Sequence, residues 1–311
     1  MNSLRAGVSE YLELRRSLGF RLKKDEGFLQ DFADFMQRRH AAHITAKLAV
    51  KWAQQPTSTD ANYLAGRLRA VRSFARYRIL TDPHTEIPAT DLLPRQRSTF
   101  RPHIFSEEEV TRLVTACLQR RRGAKPISRW SRYTIFGLLS VTGMRVGEVL
   151  NLDLADVDLD QGVLTIRNAK FGKSRLVPVH PTTCDALRIY RERREEFLAG
   201  KSAEPFFISP LGRRITHTVL DRSFLRLTRK LGMRGVSDTT GPRLHDLRHS
   251  MAVEVLRRCY RAGADPERRL PALSTYLGHT HLNYTYWYLH QNPSLMTEAM
   301  TRLQHRWEAP A

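Results

Sequence analysis

With 311 residues, the sequence is long enough for two domains, each with its own hydrophobic core. Its composition, 41% apolar and 26% charged, excludes collagen-like and low-complexity chains, and no apolar run is long enough to span a bilayer. Lysine and arginine number 51 against 31 acidic residues, a formal net charge of +20 that favours a polyanionic partner, above all nucleic acid. A solvated basic surface, or loose binding to anionic lipid, is the alternative.

The cysteines and the N-terminal segment indicate the compartment. Cys117, Cys184 and Cys259 are scattered and form no CxxC pair, which favours reduced thiols over disulfides or a zinc site. The N-terminal segment alternates charged with apolar residues and lacks the core of a signal peptide. We therefore expect a cytoplasmic protein, with no membrane segment, that associates with the nucleoid through DNA.

Residues 1–82 are predicted to form a small domain of four helices. Apolar residues at helical spacing indicate the first two helices, Thr45 is the expected N-cap of the third, and the cluster Thr57–Asp60 can cap the fourth. The fourth helix carries five arginines with no acidic residue between them, which favours phosphate contact over a merely solvated face. These are Arg67, Arg69, Arg72, Arg76 and Arg78, of which the first four are predicted DNA contacts.

Residues 83–103 contain four prolines and a basic stretch and are predicted to form an extended linker. The second predicted domain, residues 104–311, begins with a capping box formed by Ser106 and Glu109. Helices follow to about Leu150, then a hairpin with strands 163–167 and 175–179, then further helices. The predicted fold is mainly α with a small β-sheet, so that the second domain is α+β.

Four stretches of the second domain can carry chemistry. In TGMRVGEVLNLDLADVD, residues 142–158, Arg145 and Glu148 share one helix face, although an ordinary ion pair has the same spacing. In the hairpin turn AKFGKSR, Lys170 and Lys173 lie at the tip, although exposed lysines on a turn are common.

The other two stretches contain histidines. In RLHDLRHS, residues 243–250, the spacing places His245, Arg248 and His249 on one helix face. In LGHTHLNYTYWYLH, residues 277–290, His279 follows a Leu-Gly break and Tyr288 comes nine residues later. An aromatic helix with incidental histidines is the alternative for the last stretch.

The order and spacing of these four stretches resemble the tyrosine recombinase (phage integrase) family, which includes the Xer recombinases. The resemblance covers roughly residues 104–290 at the level of motifs. Residues 1–82 and the basic linker are similar in kind to the family's helical core-binding domain, but no motif supports that similarity. The resemblance thus implies a core-binding domain followed by a catalytic domain.

Carried over to matching positions, the resemblance implies an active site in this chain. Arg145 and Arg248 match the family's arginines, with Glu148 supporting the first of them. Lys170 fits the family's hairpin lysine better than Lys173 does, and Tyr288 matches the nucleophile. His245 and His279 match the two family histidines. Lys173 and Arg175 are then expected to contact DNA, and Tyr284 and Tyr286 to pack or face DNA.

These residue types suit phosphodiester chemistry. A tyrosine oxygen can attack a phosphodiester and form a covalent 3′-phosphotyrosine. Arginine forks and a histidine N–H can stabilise the charge that builds on the phosphate oxygens. A lysine can protonate the leaving oxygen, and His245 can manage the tyrosine proton or hold the phosphate. No metal or other cofactor is expected, and strand exchange needs no ATP because the covalent link conserves the bond energy.

Three alternatives remain open at this stage. HDLRH has the histidine spacing of the HExxH zinc hydrolases, with aspartate in place of the glutamate base. A non-catalytic DNA-binding protein on the same fold and a type IB topoisomerase are the others. For a recombinase, the family resemblance implies a homotetramer on two double-stranded DNA sites, with or without accessory proteins. The expected role is integration or excision of a mobile element.

Overall fold

A computed structural model describes residues 4–20, 22–57, 60–94, 101–119, 123, 125–167, 174–291 and 293–308. The chain divides into two compact units, unit 1 with residues 1–100 and unit 2 with residues 101–311. The division therefore lies within the predicted linker. In the described ranges, no helix combines the length and apolarity needed to cross a membrane.

Unit 1 contains the four predicted helices. They are α1 (Leu4–Ser17), α2 (Lys23–Arg38), α3 (Ala46–Ala53) and α4 (Ala61–Arg78). The predicted caps are confirmed: the Thr45 side chain accepts a hydrogen bond from the Leu48 amide, and Asp60 accepts from the amides of Asn62 and Tyr63. Their apolar faces meet in one core in which Phe32, Trp52 and Phe74 are fully buried.

Residues 83–94 differ from the prediction of an extended linker. The Glu86 amide donates to the Ile44 carbonyl at 2.8 Å, and the Glu86 carboxylate accepts from the Ala46 amide at 2.7 Å. Leu93 is buried in the core of unit 1. Prolines remove backbone donors, but the neighbouring residues still pair with α3, so this segment is a packed part of the unit.

The arginines of α4 do not all face solvent. Arg67 is 5% exposed, donates to the Asp31 carboxylate at 2.9 Å, and lies 3.8 Å from the centre of the Trp52 ring. The structure therefore gives Arg67 a role inside the unit, where Asp31 and Trp52 bind its charge, and its contact with DNA stays a prediction. Arg72 donates to the carbonyls of Pro88 and Ala89, which holds the segment after the helix. Arg69 and Arg76 are exposed and remain predicted DNA contacts.

Unit 2 begins with α5 (Glu107–Ala116), and the predicted capping box is confirmed because the Ser106 side chain and Glu109 cap each other's amides at 3.1 and 3.0 Å. The remaining helices are α6 (Pro126–Thr142), α7 (Val146–Leu150), α8 (Pro181–Leu198), α9 (His217–Lys230), α10 (Leu244–Arg261), α11 (Pro266–Leu277), α12 (Asn283–Gln291) and α13 (Pro293–Glu308). The main core of the unit lies around α6, and a second core lies between α10, α11, α12 and α13.

A three-stranded antiparallel sheet completes unit 2. Its strands, in spatial order, are β1 (Val157–Asp158), β2 (Val163–Ile166) and β3 (Arg175–Pro178). The predicted hairpin is confirmed, with Val163 opposite Pro178 and Ile166 opposite Arg175. Lys170 and Lys173, at its predicted tip, lie outside the described residues. With 61% helix and this one small sheet, the predicted fold class is correct.

Replacing Arg67 with alanine should destabilise unit 1 and leave the predicted DNA contacts of Arg69 and Arg76 in place. The change removes a buried guanidinium bonded to Asp31 and packed on Trp52, so we expect a loss of about 2 kcal/mol in the free energy of unfolding. Urea denaturation of the full chain measures this.

Arg69→Ala, on the exposed side of the same helix, is the matched control. It should change the unfolding free energy by less than about 0.5 kcal/mol. It should also weaken DNA binding. The slope of the logarithm of the binding constant against the logarithm of the salt concentration should decrease in magnitude by about one. Weaker DNA binding by Arg67→Ala at unchanged stability would support a DNA contact of Arg67 instead.

Candidate active site

Two helix ends bring the candidate residues together. α6 ends at Gly143 and α11 ends at Gly278, both in the left-handed conformation, with φ of 60° and 69°. Glycine suits both positions because other residues rarely adopt this conformation. At Gly278 a Cβ would also lie 2.7 Å from the Arg175 guanidinium, so a side chain there would force that guanidinium to move. The two turns direct their carbonyl groups towards one point next to α10.

Arg248 of α10 occupies that point. It is 2% exposed and donates to the carbonyl oxygens of Gly143 at 2.7 Å and of Leu277 at 2.8 Å. Burial, followed by the positive charge of Arg145, lowers the pKa of Arg248 to about 10, so the side chain remains charged at pH 7. Its hydrogen bonds fix the direction of the guanidinium without neutralising it.

Arg145 and Arg175 share one buried carboxylate. Arg145 donates to Glu148 and to the Gly278 carbonyl, each at 2.8 Å, so the predicted pairing of Arg145 with Glu148 is confirmed. Arg175 of β3 binds both oxygens of the same carboxylate at 2.9 and 2.8 Å. Burial acts to raise the pKa of Glu148, but the hydrogen bonds from Arg175 and Arg145 outweigh it and lower the pKa to about 2.

The structure gives Arg175 a role inside unit 2, and its contact with DNA stays a prediction. Its side chain is 14% exposed, and besides Glu148 it donates to the Tyr276 carbonyl at 3.1 Å. The residue joins the sheet to the end of α11. We use "arginine cluster" for Arg145, Glu148, Arg175 and Arg248, which together carry an excess of two positive charges.

His279 follows the second turn and is held from α12. Its Nδ1 lies 2.8 Å from the hydroxyl oxygen of Thr285, a residue that is fully buried. Burial, followed by the charges of Arg248 and Arg145, lowers the pKa of His279 to about 4. The imidazole is therefore neutral at pH 7 and carries a single N–H.

Two further histidines lie on α10. The rings of His245 and His249 meet edge to face, with their centres 4.9 Å apart. Burial and the charges of Arg248 and Arg243 lower the pKa of His245 to about 4, although part of this residue is exposed. Burial and the neighbouring His245 lower the pKa of His249 to about 3. Both rings are therefore neutral proton acceptors at pH 7.

Tyr288 is the tyrosine that lies beside these groups. It is 3% exposed, and its ring centre lies 5.5 Å from that of His249 and 6.2 Å from that of His279. Burial raises its pKa, while the charge of Arg248 and a hydrogen bond from Arg248 act in the opposite direction. Tyr284 is 57% exposed, and Tyr286 packs on the second core.

The zinc-hydrolase alternative does not fit the geometry. Asp246, which would be its base, is fully buried and accepts a hydrogen bond from the Arg243 amide at 2.9 Å. The carboxylate thus caps the start of α10 and does not lie between the histidines. In the part of the chain that the structure describes, no group of three histidine, cysteine or acidic residues can hold a metal ion.

The sequence prediction missed three contributions to this site. It placed His249 on the face of Arg248 without assigning it a role, and it interpreted Arg175 as a DNA contact. It did not single out Thr285 at all. The helical spacing of Thr285 and Tyr288, three residues apart, was the available signal for a shared face.

Known proteins are similar to this chain in both sequence and fold. The phage integrase family model matches residues 103–294. The chain is 50% identical to the integrase/recombinase y4rB of Sinorhizobium fredii over 99% of both chains. It is 29% identical to the tyrosine recombinase XerC of Chlorobaculum tepidum over 78% of this chain and 73% of that protein.

Solved structures of recombinases and integrases are similar to this chain in fold. A crystal structure of XerA recombinase aligns over 98% of both chains, with a TM-score of 0.51 and 26% identity. The Tn1549 transposon integrase in complex with transposon right-end DNA aligns over 97% of this chain and 99% of that chain, with a TM-score of 0.66. Its 15% identity shows similarity of fold alone.

Acid should destabilise the protein in two overlapping pH ranges. Three histidines, His245, His249 and His279, have pKa values lowered from 6.5 to between about 3 and 4. Between pH 6.5 and about 3 the unfolded chain therefore binds more protons than the folded chain. Stability therefore falls as the pH falls from 6.5 to about 3. Glu148, lowered from 4.5 to about 2, adds a further loss below pH 4.5. Melting temperatures between pH 8 and 3 measure this.

Replacing one of these histidines isolates its contribution to the pH dependence of stability. His249→Gln should flatten the dependence between pH 6.5 and 3, since it removes a group whose protonation opposes folding. His281→Gln, at an exposed position of the α11–α12 turn, is the control and should follow the wild-type profile. Parallel profiles for wild type and His249→Gln would contradict this explanation.

Proposed function

The chain belongs to the phage integrase family of tyrosine recombinases, and from this premise we propose that it cuts and rejoins DNA through a covalent 3′-phosphotyrosine formed by Tyr288. Site-specific recombination is the activity of the family. The catalytic residues proposed are Arg145, Lys170, His245, Arg248, His279 and Tyr288.

One observation carries this proposal: the buried Tyr288 ring lies 5.5 Å from that of His249 and 6.2 Å from that of His279, and the charge of Arg248 acts to lower the tyrosine pKa. The Arg248 guanidinium is oriented by two main-chain carbonyls, and these contacts do not cancel its charge. We therefore expect a phosphate bound to Arg248 to lie next to the Tyr288 oxygen. Proximity of this kind converts attack on the phosphate into an intramolecular step.

The proposed reaction exchanges one phosphoester bond for another. The Tyr288 oxygen attacks the phosphorus, the bond from phosphorus to the 5′ oxygen breaks, and the phosphate remains on the tyrosine and the 3′ strand. Arg145 and Arg248 stabilise the charge on the non-bridging oxygens, and His279 adds a third donor. The neutral imidazole of His245 can take the tyrosine proton. Lys170 protonates the departing 5′ oxygen.

The wider assembly is also part of the proposal. Arg69 and Arg76 of unit 1 contact DNA phosphates. Recombination takes place in a homotetramer on two DNA sites, and α13 offers exposed Met296 and Met300 for contact with a neighbouring copy. The similarity to the integrase/recombinase y4rB, at 50% identity, supports integration or excision of a mobile element as the setting.

Removing the Tyr288 hydroxyl should abolish the covalent intermediate and leave DNA binding intact. The test substrate is nicked duplex DNA from the ends of the protein's own element, because loss of the short strand traps the intermediate. Wild type should give a protein–DNA adduct that resists SDS, and Tyr288→Phe should give none, because Tyr288 is the tyrosine whose ring lies beside His249 and His279.

Tyr284→Phe is the matched control, since Tyr284 lies on the same helix but is 57% exposed. It should form the adduct at the wild-type rate. An adduct that survives in Tyr288→Phe and disappears in Tyr284→Phe would move the nucleophile. DNA binding without any adduct on the correct site would favour a non-catalytic DNA-binding protein on this fold.

Lys170→Ala should slow cleavage by roughly a hundredfold or more, because an unprotonated 5′ oxygen is a poor leaving group. A substrate with sulfur in place of that 5′ oxygen needs no proton, and it should restore the rate of the variant. Lys173→Ala, at a predicted DNA contact, is the control: at saturating enzyme it should cleave at close to the wild-type rate and show no rescue by sulfur. A sulfur rescue of Lys173→Ala instead would transfer the role to that lysine.

A further inference from the structure

A buried hydroxyl connects the helix of the proposed nucleophile to His279. Thr285 lies on α12, three residues before Tyr288 and therefore on the same face of the helix. It is fully buried, and its hydroxyl oxygen lies 2.8 Å from Nδ1 of His279. The ring of His279 lies nearly parallel to that of Tyr288, at 20°, with 6.2 Å between the ring centres.

The hydrogen bond can be formed in two ways. Either the Thr285 hydroxyl donates to Nδ1, or Nδ1 carries the hydrogen and donates to the hydroxyl. In the second case the hydroxyl hydrogen needs another acceptor, and within the described residues the hydroxyl has His279 as its one hydrogen-bond partner. A buried hydroxyl hydrogen without a partner is unfavourable, because it loses its hydrogen bond to water and gains none in return. The first arrangement is therefore favoured, and it places the single imidazole hydrogen on Nε2.

We propose that Thr285 is a positioning residue: its hydroxyl donates to Nδ1 of His279 and so keeps the hydrogen on Nε2, where it can be donated to the scissile phosphate. Because Thr285 lies on α12, this tautomer is maintained only while the helix that carries Tyr288 is docked. The inference rests on the proposed function, since it assigns a phosphate oxygen as the acceptor of the Nε2 hydrogen.

The tautomer matters because His279 is neutral. Burial and the neighbouring arginines lower its pKa to about 4, so at pH 7 it has one hydrogen to offer. With that hydrogen on Nδ1, the Nε2 lone pair would face the phosphate oxygen and repel it. The Thr285 contact thus makes one of the three proposed phosphate donors depend on α12, the helix that carries Tyr288. A phosphate that Tyr288 cannot reach then lacks this donor.

Two substitutions separate the hydroxyl from the shape of the side chain. Thr285→Val keeps the volume and removes the hydroxyl, and Thr285→Ser keeps the hydroxyl. In single-turnover cleavage of nicked DNA, we expect Thr285→Val to be slower by roughly tenfold to a hundredfold, at most the effect of losing one donor to a developing charge. Thr285→Ser should recover most of the rate. Thr275→Val, at an exposed position of α11 where the hydroxyl bonds only locally to the Pro271 carbonyl, should be unaffected.

A double-mutant cycle tests whether the hydroxyl acts through the histidine. His279→Gln alone should be slower than Thr285→Val, and the double variant should be no slower than His279→Gln, because residues that act through one contact are not additive. Additive losses would show that Thr285 only supports packing, and they would overturn the proposal.

The tautomer can be observed directly in the DNA-free protein. In ¹⁵N-histidine-labelled protein at pH 7, the ring signals that vanish in His279→Gln belong to His279. We expect the hydrogen on Nε2 in wild type and Thr285→Ser, and a mixture of tautomers in Thr285→Val. A wild-type hydrogen on Nδ1 would overturn the inference even if cleavage proceeds normally.

The tautomer and the protein–DNA adduct are measured independently, so a failure of the inference can be distinguished from a failure of the proposed function. A hydroxyl-dependent Nε2 hydrogen in a protein that forms no adduct on its own DNA would leave the contact between Thr285 and His279 standing. It would remove the phosphate as the acceptor, and the proposed function would fail with it.

Discussion

The arrangement of unit 2 depends on how the Arg248 guanidinium is held away from water. A buried cation needs acceptors in fixed positions, and here the carbonyls of Gly143 and Leu277 supply them. These groups belong to the ends of two helices that are distant in the sequence, so the hydrogen bonds join the α6–α7 turn, α10 and the α11–α12 turn. Had a carboxylate supplied the contact, the charge of Arg248 would have been cancelled. Carbonyl groups orient the guanidinium and leave its charge available for an anion.

Glu148 complements this arrangement. One buried carboxylate accepts from both Arg145 and Arg175, so it orients the first arginine and anchors the start of strand β3. The sequence predicts Lys170 at the tip of this hairpin, beyond the described residues. The same carboxylate therefore links Arg145, a proposed phosphate ligand, to strand β3. The cluster still keeps an excess of positive charge, while the histidines around it stay neutral through burial and repulsion.

Unit 1 shows how burial divides residues that look equivalent in the sequence. Arg67 and Arg69 are two positions apart on α4, which places them on different sides of the helix. One is buried against Trp52 and Asp31, and the other is exposed. A basic helix can therefore stabilise its own domain with some of its arginines and present only the others to a polyanion. Residues 83–94 give a similar lesson, since their prolines suggested a linker while Leu93 packs in the core.

The sequence by itself determined the local elements: the helices, the Thr45 and Ser106 caps, the hairpin, and the shared helix face of His245 and Arg248. These follow from periodicity and capping, which act over a few residues. The family's motif spacing added the candidate site, including Tyr288. Only the tertiary structure decided which acceptors hold the arginines and that the hydroxyl of Thr285 meets His279. Those contacts form where segments distant in the sequence come together, and their partners are mostly main-chain carbonyls, which no side-chain pattern can display.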